Sequence, residues 1–211
     1  MILHGYWRSG AAYRTRIALN LKGLSYSQQG VDLRTGAQRS EAFVALNPQG
    51  MVPALEVDGA VLTQSPAILE WLEETHPVPA LLPADSMERA HVRAMAALIG
   101  CDIHPLNNLR VGKALRETFG ADQAAVDAWA ARWILPGFEA LEALVGRRGG
   151  GWCFGDTATL ADCYLIPQIY SARRFNVALD AFPRLLAIDA EAGRHPAFIS
   201  AHPDNQPDAD G

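Results

Sequence analysis

A small mixed α/β domain followed by an all-helical domain is the fold class the sequence predicts, and three observations predict it. Up to about residue 76, short strand-like runs are interleaved with helical patterns in the order β-α-β, then β-β-α. A proline-bearing stretch with little periodicity follows. Beyond it the apolar spacing is helical nearly to the end, and strands first with helices after mean two layers of different kind. The boundaries read as residues 1–76, a linker over 77–85, and 86–211, with a tail rich in Pro and Asp expected to fray from 203.

Each element has a local reason. Residues 2–6 are a short apolar run bounded by polar residues, the first strand. Ala11–Lys22 carries Ile17, Ala18 and Leu21 on one face, and Gly23 is placed to stop that helix. A weaker strand lies near Tyr26–Val31. Residues 52–57 and 60–63 flank Asp58-Gly59, a two-residue hairpin signal. Val52-Pro53 opens the first of these strands, where a proline removes no ladder donor. Ser65-Pro66 then starts a helix, Ser as cap and Pro as first helical residue, with Ile68, Leu69 and Leu72 as its buried stripe. Pro77, Pro79 and Pro83 mark the linker. Val92, Met95, Ile99 and Ile103 space one long helix, kinked at Pro105. Residues 124–145 space another, Gly149–Gly151 break the pattern, and Thr159-Leu-Ala-Asp162 matches a capping box before a helix over 162–172.

Composition narrows the function classes. The chain has 211 residues, 49% of them apolar and 19% charged, enough to bury a core and too apolar for a disordered chain. A net charge of −5 offers nucleic acid no global attraction. No run reaches the roughly 20 apolar residues that span a bilayer, and the N-terminus lacks a secretory apolar stretch. Cys101, Cys153 and Cys163 form no CxxC pair, so neither a disulfide framework nor a structural zinc site is expected, nor any other metal site. Cys101 and Cys163 read as small helix-packed apolar residues. A reducing cytoplasm suits these thiols. Of the 18 basic residues, 16 are Arg and only Lys22 and Lys113 are Lys. Base composition can produce that bias, but Arg is also the side chain that grips carboxylates with a planar fork.

Three blocks carry a resemblance. Residues 6–19 (Tyr-Trp-Arg-Ser-Gly-Ala-Ala-Tyr-Arg-Thr-Arg-Ile-Ala-Leu), 47–55 (Asn-Pro-Gln-Gly-Met-Val-Pro-Ala-Leu) and 64–72 (Gln-Ser-Pro-Ala-Ile-Leu-Glu-Trp-Leu) resemble the zeta class of glutathione transferases. Phe154–Asp162 matches the C-terminal folding motif of the wider superfamily. The match runs from residue 6 to about 175, and the segment from Arg8 to Leu19 is what narrows it to zeta. Within that class the bacterial maleylacetoacetate isomerases are most similar, followed by the maleylpyruvate isomerases. The resemblance implies a thioredoxin-like first domain, a helical second domain, a cis bond before Pro53, glutathione as cofactor and a homodimer.

It also implies a chemistry: the glutathione thiolate adds to a cis double bond, the adduct rotates as an enolate, and elimination releases the trans product. Such a site needs a stabilised thiolate and positive charge for the substrate's carboxylates and the enolate. For the thiolate the resemblance points to Ser9, at the start of a helix whose positive end also lowers a thiol pKa; from the residues alone, Ser9 reads first as a helix cap. The usual Ser-Ser-Cys or Ser-Ser-Ala is Ser9-Gly10-Ala11 here, which removes cysteine chemistry from this loop. Gln64 and Ser65 match the positions that hold the γ-glutamyl end, Val52 and Pro53 the strand that pairs with the cysteinyl unit, Gln49 a neighbouring loop contact, and His104 a position near the glycine end. Arg8, Arg110 and Arg174 are the candidate catalytic cations, with Arg173 as the alternative to Arg174. Three arginines suit a dicarboxylate better than an apolar electrophile. The expected reaction is maleylacetoacetate to fumarylacetoacetate, an assignment toward which Leu109 tilts. Maleylpyruvate, or transferase activity on electrophiles such as α-halo acids, are the alternatives.

Overall fold

The computed structural model of the chain describes residues 1–209, and these divide into two units: Met1–Leu81 together with the residues from Gly193 onward, and Leu82–Ala192. The first unit is built on a four-stranded sheet. In chain order its elements are β1 (Ile2–Gly5), α1 (Gly10–Leu21), β2 (Ser27–Gly30), α2 (Glu41–Leu46), β3 (Ala54–Val57), β4 (Ala60–Thr63) and α3 (Ser65–Thr75). The sheet order is β2-β1-β3-β4, with β1 and β2 parallel and the other pairings antiparallel. Leu3 and Leu55 pair across β1 and β3 and are fully buried, as are Ile17 and Ala18 on α1 and Ile68 and Leu72 on α3. The hairpin turn is as its residues dictate: Asp58 and Gly59 both take positive φ, 49° and 80°. The peptide before Pro53 is cis, as the resemblance implied, and so is the one before Pro79.

Two features of this unit depart from expectation. The short helix α2, capped by Ser40, was not anticipated, because six residues are too few to display a period. At α3 the cap is Gln64, and Ser65 is already the first helical residue. The segment after α3 is also less of a linker than its prolines suggested. Lys22, at the end of α1, is buried and donates through Nζ to Glu73 Oε2 and to the carbonyls of His76 and Pro79, while Glu73 Oε2 also accepts the Leu81 amide. Residues 76–81 are thereby bound into the first unit.

The second unit is helical: α4 (Ser86–Ala97), α5 (Leu109–Phe119), α6 (Gln123–Arg148), α7 (Leu160–Arg174) and α8 (Pro183–Ala192). Its core includes Val92, Met95, Ile99 and Ile103, the stripe read from the sequence, with Ile134, Phe138 and Leu141 from α6. The single kinked helix expected there is instead three pieces. After α4 comes a π-helical turn, Leu98–Ile103, then a 3-10 turn, His104–Leu106. Pro105 lacks an N–H and its ring crowds the carbonyl four residues earlier, so the regular ladder cannot run through it. Gly137 lets α6 approach this turn; a Cβ there would lie 2.4 Å from Ile103 Cδ1. Cys163 is buried as expected, whereas Cys101 is exposed.

The capping box before α7 is present. Asp162 is fully buried and accepts from the Thr159 amide at 2.7 Å, the Thr159 hydroxyl at 2.8 Å and the Cys153 amide at 2.8 Å. Burial raises its carboxyl above the ordinary range, against the pull of those bonds.

The C-terminal segment corrects another expectation. α9 (Pro196–Ala201) packs on α1 within the first unit, and a 3-10 turn, Pro203–Asn205, follows. Arg16, fully buried, donates Nε to the Ala201 carbonyl, and Asn20 donates to Ala197. Gln206 is buried and bonded to Gln28 of β2. The segment beyond 203 does not fray: Gln28 Nε2 and the Trp7 amide, both far away in the chain, donate to the side chains of Gln206 and Asp208, while its backbone amides bond locally; Asp210 and Gly211 lie outside the described residues.

Candidate active site

The register of the sheet gathers the predicted cofactor residues. β1 ends at Gly5, β3 begins at Ala54 opposite His4, and β4 ends at Thr63 opposite Ala54. The turn carrying Arg8 and Ser9, the Val52-Pro53 bend and the Gln64-Ser65 start of α3 therefore leave the sheet at one end. Sequence distance between these segments is large, and strand direction alone brings them together.

Ser9 caps α1, its hydroxyl accepting the Ala12 amide at 3.3 Å. That bond uses an acceptor lone pair and leaves the hydroxyl proton available, so the cap and a donor to a thiolate are compatible roles for one side chain. The turn is closed by the Ser9 amide donating to the Tyr6 carbonyl at 2.9 Å. Arg8 is half-buried, its guanidinium 5.0 Å from the centroid of the Trp7 ring, which seats the charge.

Asn47 organises the next segment. Its side chain donates to the Met51 carbonyl at 2.6 Å and accepts the Gln49 amide at 3.1 Å, and Gly50 follows with φ 62°. Sequence reading passed over Asn47, although an Asn three residues before a Gly is a turn signal. The loop presents Gln49, whose Oε1 accepts a short hydrogen bond from Gln64 Nε2. Gln64 itself holds φ 67°, a left-handed conformation uncommon outside glycine. The first turn of α3 has no side-chain cap, so its amides are open to an anion. Among the described residues none hydrogen-bonds to the amide or carbonyl of Val52. An open strand end beside an uncapped helix N-terminus fits a peptide that ends in a carboxylate, and glutathione is such a peptide.

In the helical unit the predicted residues sit on different elements. His104 begins the 3-10 turn and is half-buried, and that turn is tethered by Trp129 Nε1 donating to the Leu106 carbonyl at 2.7 Å. Arg110 lies exposed in the first turn of α5, where its charge opposes the helix dipole and is poorly paid back locally. It borders an open groove of about 540 Å³ with Val111, Leu115, Phe119 and Trp129. Arg173 is committed to an ion pair with Asp189 at 2.6 Å; Arg174, the last residue of α7, is not in that pair. Among the described residues no group of three His, Cys, Asp or Glu side chains could hold a metal ion, and no helix is long and apolar enough to cross a membrane.

Comparison with known proteins bears on the same residues. The glutathione S-transferase N-terminal domain model matches residues 8–75, and the C-terminal domain model matches 123–188. A maleylpyruvate isomerase from Ralstonia sp. is 56% identical over 99% of this chain and 100% of its own. A maleylacetoacetate isomerase from Pseudomonas aeruginosa is 54% identical over 99% and 98%. Among solved structures, the holo form of a maleylpyruvate isomerase, described as a bacterial zeta-class glutathione S-transferase, superposes with a TM-score of 0.98 at 55% identity and covers all of both chains. The thioredoxin-like sheet unit, the helical unit, the matched domain models and identity over the full length converge: the chain belongs to the zeta class of the glutathione S-transferase family.

Proposed function

We propose that this chain is a glutathione-dependent cis–trans isomerase of a maleyl dicarboxylate, converting maleylacetoacetate to fumarylacetoacetate. The observation that carries the reading is the gathering of Ser9, Val52-Pro53 and Gln64-Ser65 at one end of the sheet, with Arg8 directly beside Ser9. When bound, glutathione supplies a thiolate that adds reversibly to the cis double bond and makes it a rotatable single bond. Ser9 donates its hydroxyl proton toward the sulfur, and the α1 N-terminus adds positive potential there. Gln64, Ser65 and the open amides of α3 take the γ-glutamyl carboxylate, Gln49 steadies Gln64, and Val52 offers its free backbone to the cysteinyl unit across the Pro53 bend. His104 is assigned the glycine end. Arg8, Arg110 and Arg174 hold the substrate's carboxylates and stabilise negative charge that develops during addition.

Maleylpyruvate is the second reading, favoured by the 56% identity to a relative of that name. Isomerase assays on both substrates, each with and without glutathione, separate the two by their kcat/KM values. Activity independent of glutathione would overturn both. We further propose a homodimer in a reducing cytoplasm; all three cysteines are free thiols, which suits that compartment.

Ser9→Ala is expected to raise the pKa of bound glutathione thiol by roughly one unit, read by thiolate absorbance against pH. An unchanged titration would leave Ser9 as a helix cap alone.

A further inference from the structure

Trp7 stands immediately before the Arg8–Ser9 turn, and both of its peptide groups are held from elsewhere in the chain. Its amide donates to Asp208 Oδ2 at 3.0 Å, across 201 positions of sequence. Its carbonyl accepts from Arg16 Nη2 at 2.9 Å. Arg16 is in turn anchored through Nε to Ala201 at 3.0 Å, at the end of α9. One hold on Trp7 is thus made by the C-terminal segment directly, and the other by a buried side chain fastened to that segment. A residue has only two soft backbone dihedrals, so fixing the N–H and C=O of Trp7 sets the direction in which Arg8 and Ser9 leave it.

The segment that carries Asp208 is itself fastened. Gln206 donates to the Ser200 and His202 carbonyls at 2.9 and 2.6 Å and accepts from Gln28 Nε2 of β2 at 2.6 Å. Gly30, the last residue of β2, makes room for Asp208; a Cβ there would lie 3.2 Å from the Asp208 Cβ. The Trp7 amide can only donate and the Asp208 carboxyl oxygen accepts it, so the bond to Trp7 has one polarity.

We infer that Asp208 is a positioning residue for the isomerisation: by holding the Trp7 amide it aims the Ser9 hydroxyl and the Arg8 guanidinium. The inference rests on the isomerase reading above. Displacement of a reacting group by about 1 Å can cost on the order of a hundredfold in rate, so a contact that only steadies the fold and one that aims the turn have different signatures. The first lowers the melting temperature alone. The second lowers kcat with little change in KM and moves the titration of the bound thiol.

The test compares the full chain with Asp208→Ala, Asp208→Asn and Gly30→Ala, the last pressing on Asp208 from β2 without removing it. Turnover on maleylacetoacetate, KM for glutathione, the thiolate titration of bound glutathione, Trp7 amide hydrogen exchange and melting temperature are measured on each. For Asp208→Ala the expected results are a kcat at least fivefold lower and a glutathione KM within twofold. The bound-thiol pKa rises and Trp7 amide exchange is at least tenfold faster. Asp208→Asn keeps an oxygen acceptor and restores at least half of the turnover. Gly30→Ala lowers kcat in the same direction and decides the matter if Asp208→Ala does not fold. Unchanged kcat and thiol titration in a folded Asp208→Ala, whatever its melting temperature, would overturn the inference; so would unchanged kcat in Gly30→Ala when Asp208→Ala does not fold. Absence of glutathione-dependent turnover in the unaltered chain would instead overturn the isomerase reading, while the exchange of the Trp7 amide still reports on the hold itself.

Discussion

Asp162→Ala is expected to destabilise the protein by about 3 kcal/mol or more, since each buried donor left without a partner costs about 1–3 kcal/mol. The side chain satisfies three buried donors, two on Thr159 and one on the Cys153 backbone, and all three are stranded when it is truncated. Two segments depend on it: the first turn of α7, nearly every residue of which is buried, and the loop that leads into it. Asp162→Asn keeps one oxygen and should lose less. Denaturant unfolding followed by circular dichroism measures both variants, and an Asp162→Ala chain with a midpoint equal to that of the unaltered protein would show that the box is dispensable.

Arg8→Ala and Arg174→Ala are each expected to lower isomerase turnover by well over tenfold, equivalent to about 2 kcal/mol or more of transition-state stabilisation, while glutathione still binds. Arg8 loses its stacking on Trp7 as well, but that contact is worth only about 0.5–1 kcal/mol at a partly exposed position, so the variant should fold. Arg173→Ala is the control. Its guanidinium is spent on Asp189, and its removal should change turnover by less than twofold. Turnover unchanged from the unaltered protein in both the Arg8 and the Arg174 variants would sink the dicarboxylate assignment.

The contrast between Arg173 and Arg174 shows where sequence reading stops. Both stand at the end of the same helical pattern, and the ion pair of Arg173 with Asp189, one helix later, is written in neither residue's neighbours. Local signals were legible wherever a residue acts on its neighbours: Asp58-Gly59 at a hairpin, Thr159 and Asp162 at a cap. Pro105 reads as a kink in one helix, whereas the regular helix already ends at Ala97 and a π turn and a 3-10 turn follow, beside the close approach of α6 at Gly137. Gln64 as the cap of α3 was hidden because its left-handed backbone belongs to the loop geometry and to Gln49, not to residue preference. The arginine excess divides in a way composition cannot reveal. Arg16 serves the fold, its fork buried among backbone carbonyls, while Arg110 is exposed in a first turn that does not favour it.

The return of residues after 193 to the sheet unit has a consequence for synthesis. On the ribosome the strands emerge first, but α9 and Asp208 follow only after the whole 82–192 segment has been made. At ~5–20 residues per second that interval is roughly 5–20 s. Throughout it Arg16 lacks the Ala201 carbonyl and the packing of α9 on α1, and Trp7 lacks Asp208, so the nascent sheet waits with the reactive turn held by fewer contacts. The helical unit can fold as a self-contained insert during the wait, and the first unit to begin is the last to be completed.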